Sequence, residues 1–369
     1  MNKSITDSIV KQFAIYGEFI SAKAFGTGHI NDTFQSFWNQ AGTAVRYLHQ
    51  RINHQVFIHP DNVMENILRV TSHINQKNRT AGVTDWSRRS LTVVPAIDGK
   101  PWARDDQGNW WRTYLFIENA YSKDVTSSVS EARFLGAGIG LFQKQLNDLP
   151  PPRLHDTIVD FHNMVKRYLH FYEVLEKDPC LRAKGAIDEI DFMRQNEQRG
   201  TILVKALQEG RIPERICHND TKMNNILIDN NELNALCVID LDTVMPGTSL
   251  FDLGDLIRTV CNSAAEDEQD LSKVDFDIAF FEGLLEGYLS QTLEFLNKEE
   301  ISLLVESGRN ITHIIGLRFL TDYLKGDKYY KIARPDHNLD RCRTQITLIK
   351  AMDRKWDKAL EIVHKLTAK

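Results

Sequence analysis

A chain of 369 residues, 42% hydrophobic and 26% charged, has the composition of a globular protein and the length for two lobes. A net charge of −5 without a basic stripe argues against nucleic-acid partners, and no stretch approaches a membrane span. The opening MNKSITDSIVKQF has no long apolar run and predicts no signal peptide, and five cysteines without CxxC spacing predict a reduced, cytoplasmic protein.

Residues 4–20 predict a short amphipathic helix, with Ile5, Ile9 and Phe13 on one side. The strand-like stretch 24–34 is interrupted by Gly26-Thr27-Gly28. Two glycines let backbone approach a ligand closely, and amides there can hold phosphate. Val45 to Asn53 reads as a strand, and His59-Pro60-Asp61 opens a helix with Met64, Ile67, Leu68 and Ile74 on its apolar side. Leu91 to Ile97 and Trp110 to Ile117 are further strands. Short connections between strands predict a mostly antiparallel sheet with one helix against it.

Beyond residue 118 the apolar period changes from two to nearly four. Leu135, Ile139, Phe142, Leu146 and Leu149 mark a helix that Pro150-Pro151-Pro152 stops. Gly136, Gly138 and Gly140 weaken its intrinsic helicity, so close packing against a neighbour is their expected use. Phe161, Val165, Tyr168, Leu169 and Tyr172 mark another helix. Further helical stretches begin at Phe251 or span 276–296, 301–324 and 345–366, the last with a stripe of Ile349, Met352, Trp356, Leu360 and Val363. Glu266 to Asp270 reads as a solvated acidic loop. Arg318 and Asp322, four apart, share one helix face and can form an ion pair.

The chain is organised around Ile216 to Met245. Ile226 to Ile228 and Ala235 to Ile239 read as two strands joined by turn chemistry at Asp229-Asn230-Asn231. One polar end offers His218, Asp220, Lys222 and Asn225; the other offers Asp240 and Asp242. These residue types suit phosphoryl transfer, which needs an acceptor for a hydroxyl proton and hard oxygen ligands for magnesium.

His218-x-Asp220-x-x-x-x-Asn225, then an apolar strand ending Ile239-Asp240, resembles the catalytic loop and metal-binding segment of protein kinases. It resembles more closely the aminoglycoside phosphotransferase and choline kinase family. Within it, His218-Asn-Asp-Thr-Lys222 and Ile239-Asp-Leu-Asp-Thr-Val-Met-Pro-Gly247 are most similar to N-acetylhexosamine 1-kinases. Asp240-Leu-Asp242 stands where protein kinases have Asp-Phe-Gly, and no Ala-Pro-Glu follows.

The resemblance implies an α+β, bilobal protein-kinase-like fold. Residues 1–118 would form a small antiparallel-sheet, nucleotide-binding N-lobe, and residues 119–369 a larger, mainly helical C-lobe for catalysis and substrate. It implies ATP-dependent phosphorylation of the anomeric hydroxyl of an N-acetylhexosamine (GlcNAc or GalNAc), with Mg2+ as cofactor, by a monomer or homodimer. Asp220 is the expected base, Lys222 neutralises charge on the transferred group, and Asn225 and Asp240, with Asp242 as a second-metal or supporting residue, hold magnesium. Gly26, Thr27 and Gly28 form the loop over the phosphates, Arg51 takes the place of the kinase lysine with Glu65 as its partner, and Glu118 lies in the hinge that meets adenine. His29 and Asn31 at the loop tip reach a sugar hydroxyl or else satisfy turn backbone; Arg318 faces the sugar, with Asp322 beside it. Asp252 braces the catalytic loop or caps a helix. The alternatives are a kinase for choline, homoserine or an aminoglycoside, an inactive nucleotide-binding scaffold, or a metal-dependent hydrolase.

Overall fold

The structure is a computed structural model that describes residues 5, 7–26, 30–231 and 233–368. Strands rich in aromatic and β-branched residues build the first unit. They are β1 (Glu18–Ala24), β2 (Asp32–Gln40), β3 (Thr43–Ile52), β4 (Val93–Val94), β5 (Ala103–Arg104) and β6 (Trp110–Leu115). They pair antiparallel in the order β1-β2-β3-β6-β4, with β5 also on β6. Phe34, Trp38, Tyr47 and Trp111 pack with Ile9, Val10 and Phe13 in its core. The register sets Thr33 opposite Gln50 and Gln50 opposite Arg112, so three polar side chains line up across three strands.

Among the described residues of the helix expected over 4–20, only α1 (Asp7–Val10) is helical. The residues after it are drawn into pairing with β2, and Gly17, at φ +102°, makes the bend. The expected strand over 91–97 is reduced to Val93 and Val94 on β6, with Ala96 bridging singly to Phe13. Helix α2 (Pro60–Thr80) starts at its proline as expected and buries Val63, Met64, Ile67, Val70 and Ile74.

Past β7 (Ala120–Tyr121) and β8 (Arg215–Cys217), the central hairpin forms as β9 (Ile226–Asp229) and β10 (Ala235–Val238). Asp229 accepts from the Asn231 amide at 2.7 Å in the expected turn, and β9 also pairs with β7. The compact units are therefore discontinuous, unlike the contiguous segments 1–118 and 119–369 expected from sequence. The first takes in the chain as far as Tyr121, with Asp148–Val159 and Leu227–Met245. Hydrogen bonds explain the additions: Asn66 of α2 donates to the carbonyls of His155 and Val244, each at 2.9 Å.

The second unit is Ser122–Asn147, Asp160–Ile226 and Pro246–Lys369. It comprises α3 (Val129–Leu146), α4 (Met164–Lys177), α5 (Ile187–Gly200), α6 (Ile202–Gln208), α7 (Ser249–Val260), α8 (Ile278–Thr292), α9 (Lys298–Ser302), α10 (Leu304–Lys325), α11 (His337–Arg354) and α12 (Trp356–Thr367). α10 is buried along most of its length and packs against α4, α5, α7, α11 and α12. The helix expected over 345–366 is two helices broken at Lys355, and Leu360 is exposed rather than in the core stripe. The acidic loop is not simply solvated: Glu266 pairs with Arg258, and Asp267 with Arg334 and His337.

Candidate functional site

In the second unit, the loop from His218 to Asn225 is fixed from several sides. Asp252 of α7 accepts from the amides of His218 and Asn219 at 3.0 and 2.7 Å, and from the Gln143 side chain at 3.0 Å. Thr248, not Asp252, caps α7, so Asp252 braces the loop. Burial pushes its carboxyl up, against the pull of His218 and the donors around it. Asn219 takes a left-handed φ of 65°, and its carbonyl accepts from His162 Nε2 at 2.8 Å. The buried His218 ring accepts the Asp220 amide on Nδ1 at 3.2 Å, which assigns its proton to Nε2. His218 thus shapes the loop.

The Asp220 carboxylate lies 3.3 Å from Lys222 Nζ. Asn225 Nδ2 donates to the Asp220 carbonyl at 2.8 Å and to Oδ2 at 3.3 Å, which keeps the amide oxygen Oδ1, the atom a hard cation takes, out of that pairing. Burial raises the Asp220 carboxyl, but Lys222, His218 and Arg258 outweigh it and hold the group below the usual carboxylate range. Arg318 belongs to the same neighbourhood. Burial works against its charge, while the Tyr330 and Tyr329 phenols and the Asp220 carboxylate raise its pKa. Its guanidinium sits over Phe161, Tyr329 and Tyr330, at 5.1, 5.6 and 5.5 Å from their ring centres. Arg167 is bonded to the Phe161 carbonyl, and burial together with the charge of Arg318 lowers it to about 10.

Asp322 does not pair with Arg318. Its carboxylate accepts from the amides of Lys328, Tyr329 and Tyr330 at 3.0, 2.8 and 3.0 Å, and from Asn338 Nδ2 at 3.0 Å. It shapes the turn carrying the two tyrosines and is not an exposed sugar contact, because backbone donors satisfy both oxygens.

In the first unit, Asp240 lies two residues beyond β10 and opens the Leu241–Thr243 turn at φ 61°, ψ 52°, a conformation that Asp tolerates better than most residues. Its side chain is exposed, whereas Asp242 is buried. Asp242 accepts from Arg112 on Oδ1 and from Asn31 Nδ2 on Oδ2 at 2.5 Å. Of the two expected readings of Asp242, the supporting one fits this geometry. Asn31 is turned inward: its Oδ1 accepts the Asn53 amide at 2.9 Å, so the turn-backbone alternative describes it and a sugar contact does not.

The expected Arg51–Glu65 pair is absent among the described residues. β2–β3 register puts Asp32 opposite Arg51, and the two form an ion pair, while Glu65 binds His155 at 2.9 Å. Glu118 is engaged within the unit: its carboxylate pairs with Arg46 and its carbonyl accepts from Arg88 at 3.0 Å. Gly26 has φ +73°, with open space where a side chain would begin. Thr27, Gly28 and His29 lie outside the described residues.

Sequence reasoning passed over Arg112, His162, Arg167 and the tyrosines at 329 and 330. For Arg112 there was a signal. A lone cation in the apolar strand WWRTYLFI must find a counter-charge if the strand is buried. The others become visible only when distant segments meet.

Residues 43–296 match the model of a family described as the phosphotransferase enzyme family, APH. Among solved structures, a microcompartment-associated aminopropanol kinase is similar, with a TM-score of 0.64 at 14% identity over 95% of this chain and 96% of its own. A spectinomycin phosphotransferase solved with ADP and spectinomycin gives 0.55 at 13% identity, over 92% and 94%. A choline kinase from Cryptosporidium parvum gives 0.54 at 12% identity, over 95% and 93%. At such identities the likeness speaks to the fold, and the α+β kinase-like fold is what these structures share with this chain.

Proposed function

We propose a substrate and a chemistry from one premise: the chain belongs to the phosphotransferase enzyme family, APH, and is a small-molecule phosphotransferase acting on an alcohol. The reaction is transfer of the ATP γ-phosphoryl group to the anomeric hydroxyl of an N-acetylhexosamine, giving the sugar 1-phosphate. A cytoplasmic site of action accords with ATP as co-substrate.

The observation that carries this reading is the Asp220 carboxylate, 3.3 Å from Lys222 Nζ and from Asn225 Nδ2 and within the field of Arg318. Asp220 orients the sugar hydroxyl and takes its proton. A carboxylate held below its usual range is a weak base, which suits a loose transition state in which the hydroxyl proton leaves late. Lys222 offsets charge on the transferred group. Asn225 Oδ1 and the Asp240 carboxylate are the hard oxygens assigned to magnesium, which when bound neutralises charge on the nucleotide phosphates. Gly26 belongs to the loop assigned to those phosphates.

Arg318, within the field of Asp220, and Arg167, within the field of Arg318, oppose a quaternary ammonium acceptor, which favours a neutral sugar over choline. Planar donors and ring faces suit hydroxyl and amide groups.

The test is phosphorus and proton NMR of the protein with ATP, magnesium and N-acetylglucosamine or N-acetylgalactosamine. A new phosphate coupled to the anomeric proton is expected. ATP consumed on choline, homoserine or an aminoglycoside, with no sugar phosphate, would discard the sugar and keep the kinase; phosphate release without any acceptor would make the protein a hydrolase.

A further inference from the structure

We propose that Arg112 is a positioning residue that anchors Asp242 and, with Asn31 just ahead of β2, fixes the turn that presents Asp240. This rests on the magnesium role proposed for Asp240.

Arg112, in the middle of β6, is with Arg309 among the largest fully buried side chains of the described residues. A buried guanidinium is costly unless its charge is matched and its donors are used. Here Nε donates to Gln50 Oε1 at 2.9 Å, Gln50 Nε2 donates to Thr33 Oγ1 at 3.2 Å, and a terminal nitrogen binds Asp242. This is the polar row set by the β2–β3–β6 register, and it ends on the aspartate.

The circuit then closes. Asp242 takes its second donor from Asn31, and Asn31 accepts from the backbone of Asn53, at the end of β3. Both Asp242 oxygens are therefore occupied by protein donors, on a side chain that is 5% exposed. Two residues away, Asp240 points outward from a left-handed backbone. Asp242 is the middle residue of the short turn from Leu241 to Thr243 that Asp240 leads into, held further by the Asn66 bond to the Val244 carbonyl. Fixing Asp242 fixes that turn, and so the direction in which Asp240 presents its carboxylate. The burial of Asp242 and the exposure of Asp240 separate anchor from ligand.

The experiment is calorimetric titration of ADP with Mg2+ and with EDTA, beside urea unfolding, for the wild type, Arg112→Met, Arg112→Lys, Asn31→Ala, and the apolar pair Arg112→Met/Asp242→Leu. An apolar pair removes both buried charges and recovers stability lost in the single variant. Positioning predicts that the pair regains the wild-type urea midpoint yet binds Mg·ADP at least about tenfold more weakly, the cost usual for groups that orient metal ligands. Asn31→Ala should weaken Mg·ADP in the same direction. Arg112→Lys, which keeps the charge, should lie between, and serves if Arg112→Met does not fold. An apolar pair that binds Mg·ADP within twofold of wild type overturns the inference. So does loss of binding in the pair with wild-type affinity in both Asn31→Ala and Arg112→Lys, because Asp242 is then the ligand itself. A wild type whose ADP affinity ignores EDTA overturns the magnesium reading of Asp240 instead.

Discussion

Asn225 donates twice to Asp220, at 2.8 Å to its carbonyl and at 3.3 Å to its carboxylate. One amide thus fixes both the backbone and the side chain of the residue proposed as base. Asp220→Asn preserves the shape and removes the charge. It is expected to lower kcat by roughly 10²–10⁴, the usual value of a positioned acid or base, with ADP affinity within about twofold of wild type. Steady-state turnover beside calorimetry decides it. Undiminished turnover would remove Asp220 from the chemistry.

Asp322 carries a different kind of prediction. Its carboxylate gathers three consecutive amides, Lys328 to Tyr330, and thereby sets both tyrosines against Arg318. Asp322→Ala strands those amides, at a cost of about 1–3 kcal/mol. The loss should appear as a higher KM for the acceptor with KM for ATP little changed. Arg318→Lys should show the same split without the loss of stability, because lysine keeps the charge but not the planar fork. Equal rises in both KM values would place the pair outside acceptor binding.

Where sequence succeeded and failed follows from the range of the interactions. The hairpin at 226–238 was legible because two short apolar strands and an Asp-Asn-Asn turn are local signals. The start of α2 was legible for the same reason, from Pro60. Arg51 was misassigned a partner because strand register decides it: Asp32 stands opposite, and nothing in the local sequence says so. Asn31 and Asp242, 211 positions apart, meet only through the fold. Asp252 was legible as a polar residue with two uses, and only the distances to the His218 and Asn219 amides chose between them. The long C-terminal helix is split at Lys355, whose backbone leaves the helical region although the hydrophobic spacing runs on through Trp356.

Three buried histidines predict acid sensitivity. Burial lowers His49 to about 4, and His162 and His313 to about 3. Unfolded, each would titrate near 6.5. As pH falls from about 6.5 the unfolded chain takes up protons that the folded chain refuses, so stability drops with pH. All three act down to about 4, and His162 and His313 continue to about 3. Each contributes up to about 1.4 kcal/mol per pH unit in that window. His49 is the best probe, since Ser36 and Thr113 hydroxyls meet its two ring nitrogens at 2.7 and 2.8 Å and can serve a neutral amide as well. Urea unfolding at pH 7 and pH 5 should show a shallower loss for His49→Gln than for wild type. Equal slopes would mean that His49 is protonated in the native protein.

Packing between α3 and α8 gives the sharpest stability prediction. Gly136 and Gly140 lie one helical turn apart on α3, and Gly287 faces them from α8. A methyl at Gly287 would overlap the Arg133 carbonyl, one at Gly136 would overlap the Leu284 carbonyl, and one at Gly140 would lie 2.8 Å from the Tyr288 carbonyl. These obstacles are backbone atoms, so no rotamer change relieves them; the helices themselves must part. Gly138 is on the opposite side of α3, two residues or about 200° round from Gly136. Alanine is the better helix former by about 1 kcal/mol, so propensity alone favours every one of these substitutions. Packing reverses the sign on the contact face. Gly136→Ala and Gly287→Ala should each lose at least about 3 kcal/mol, the upper end of ordinary overpacking, whereas Gly138→Ala should be neutral or stabilising. Denaturant midpoints for the three variants check this directly. Because α3 also carries Gln143, which donates to Asp252 at 3.0 Å behind the His218 loop, the two destabilised variants should lose turnover before they unfold. A Gly287→Ala protein with wild-type stability would show that the helices have room to separate.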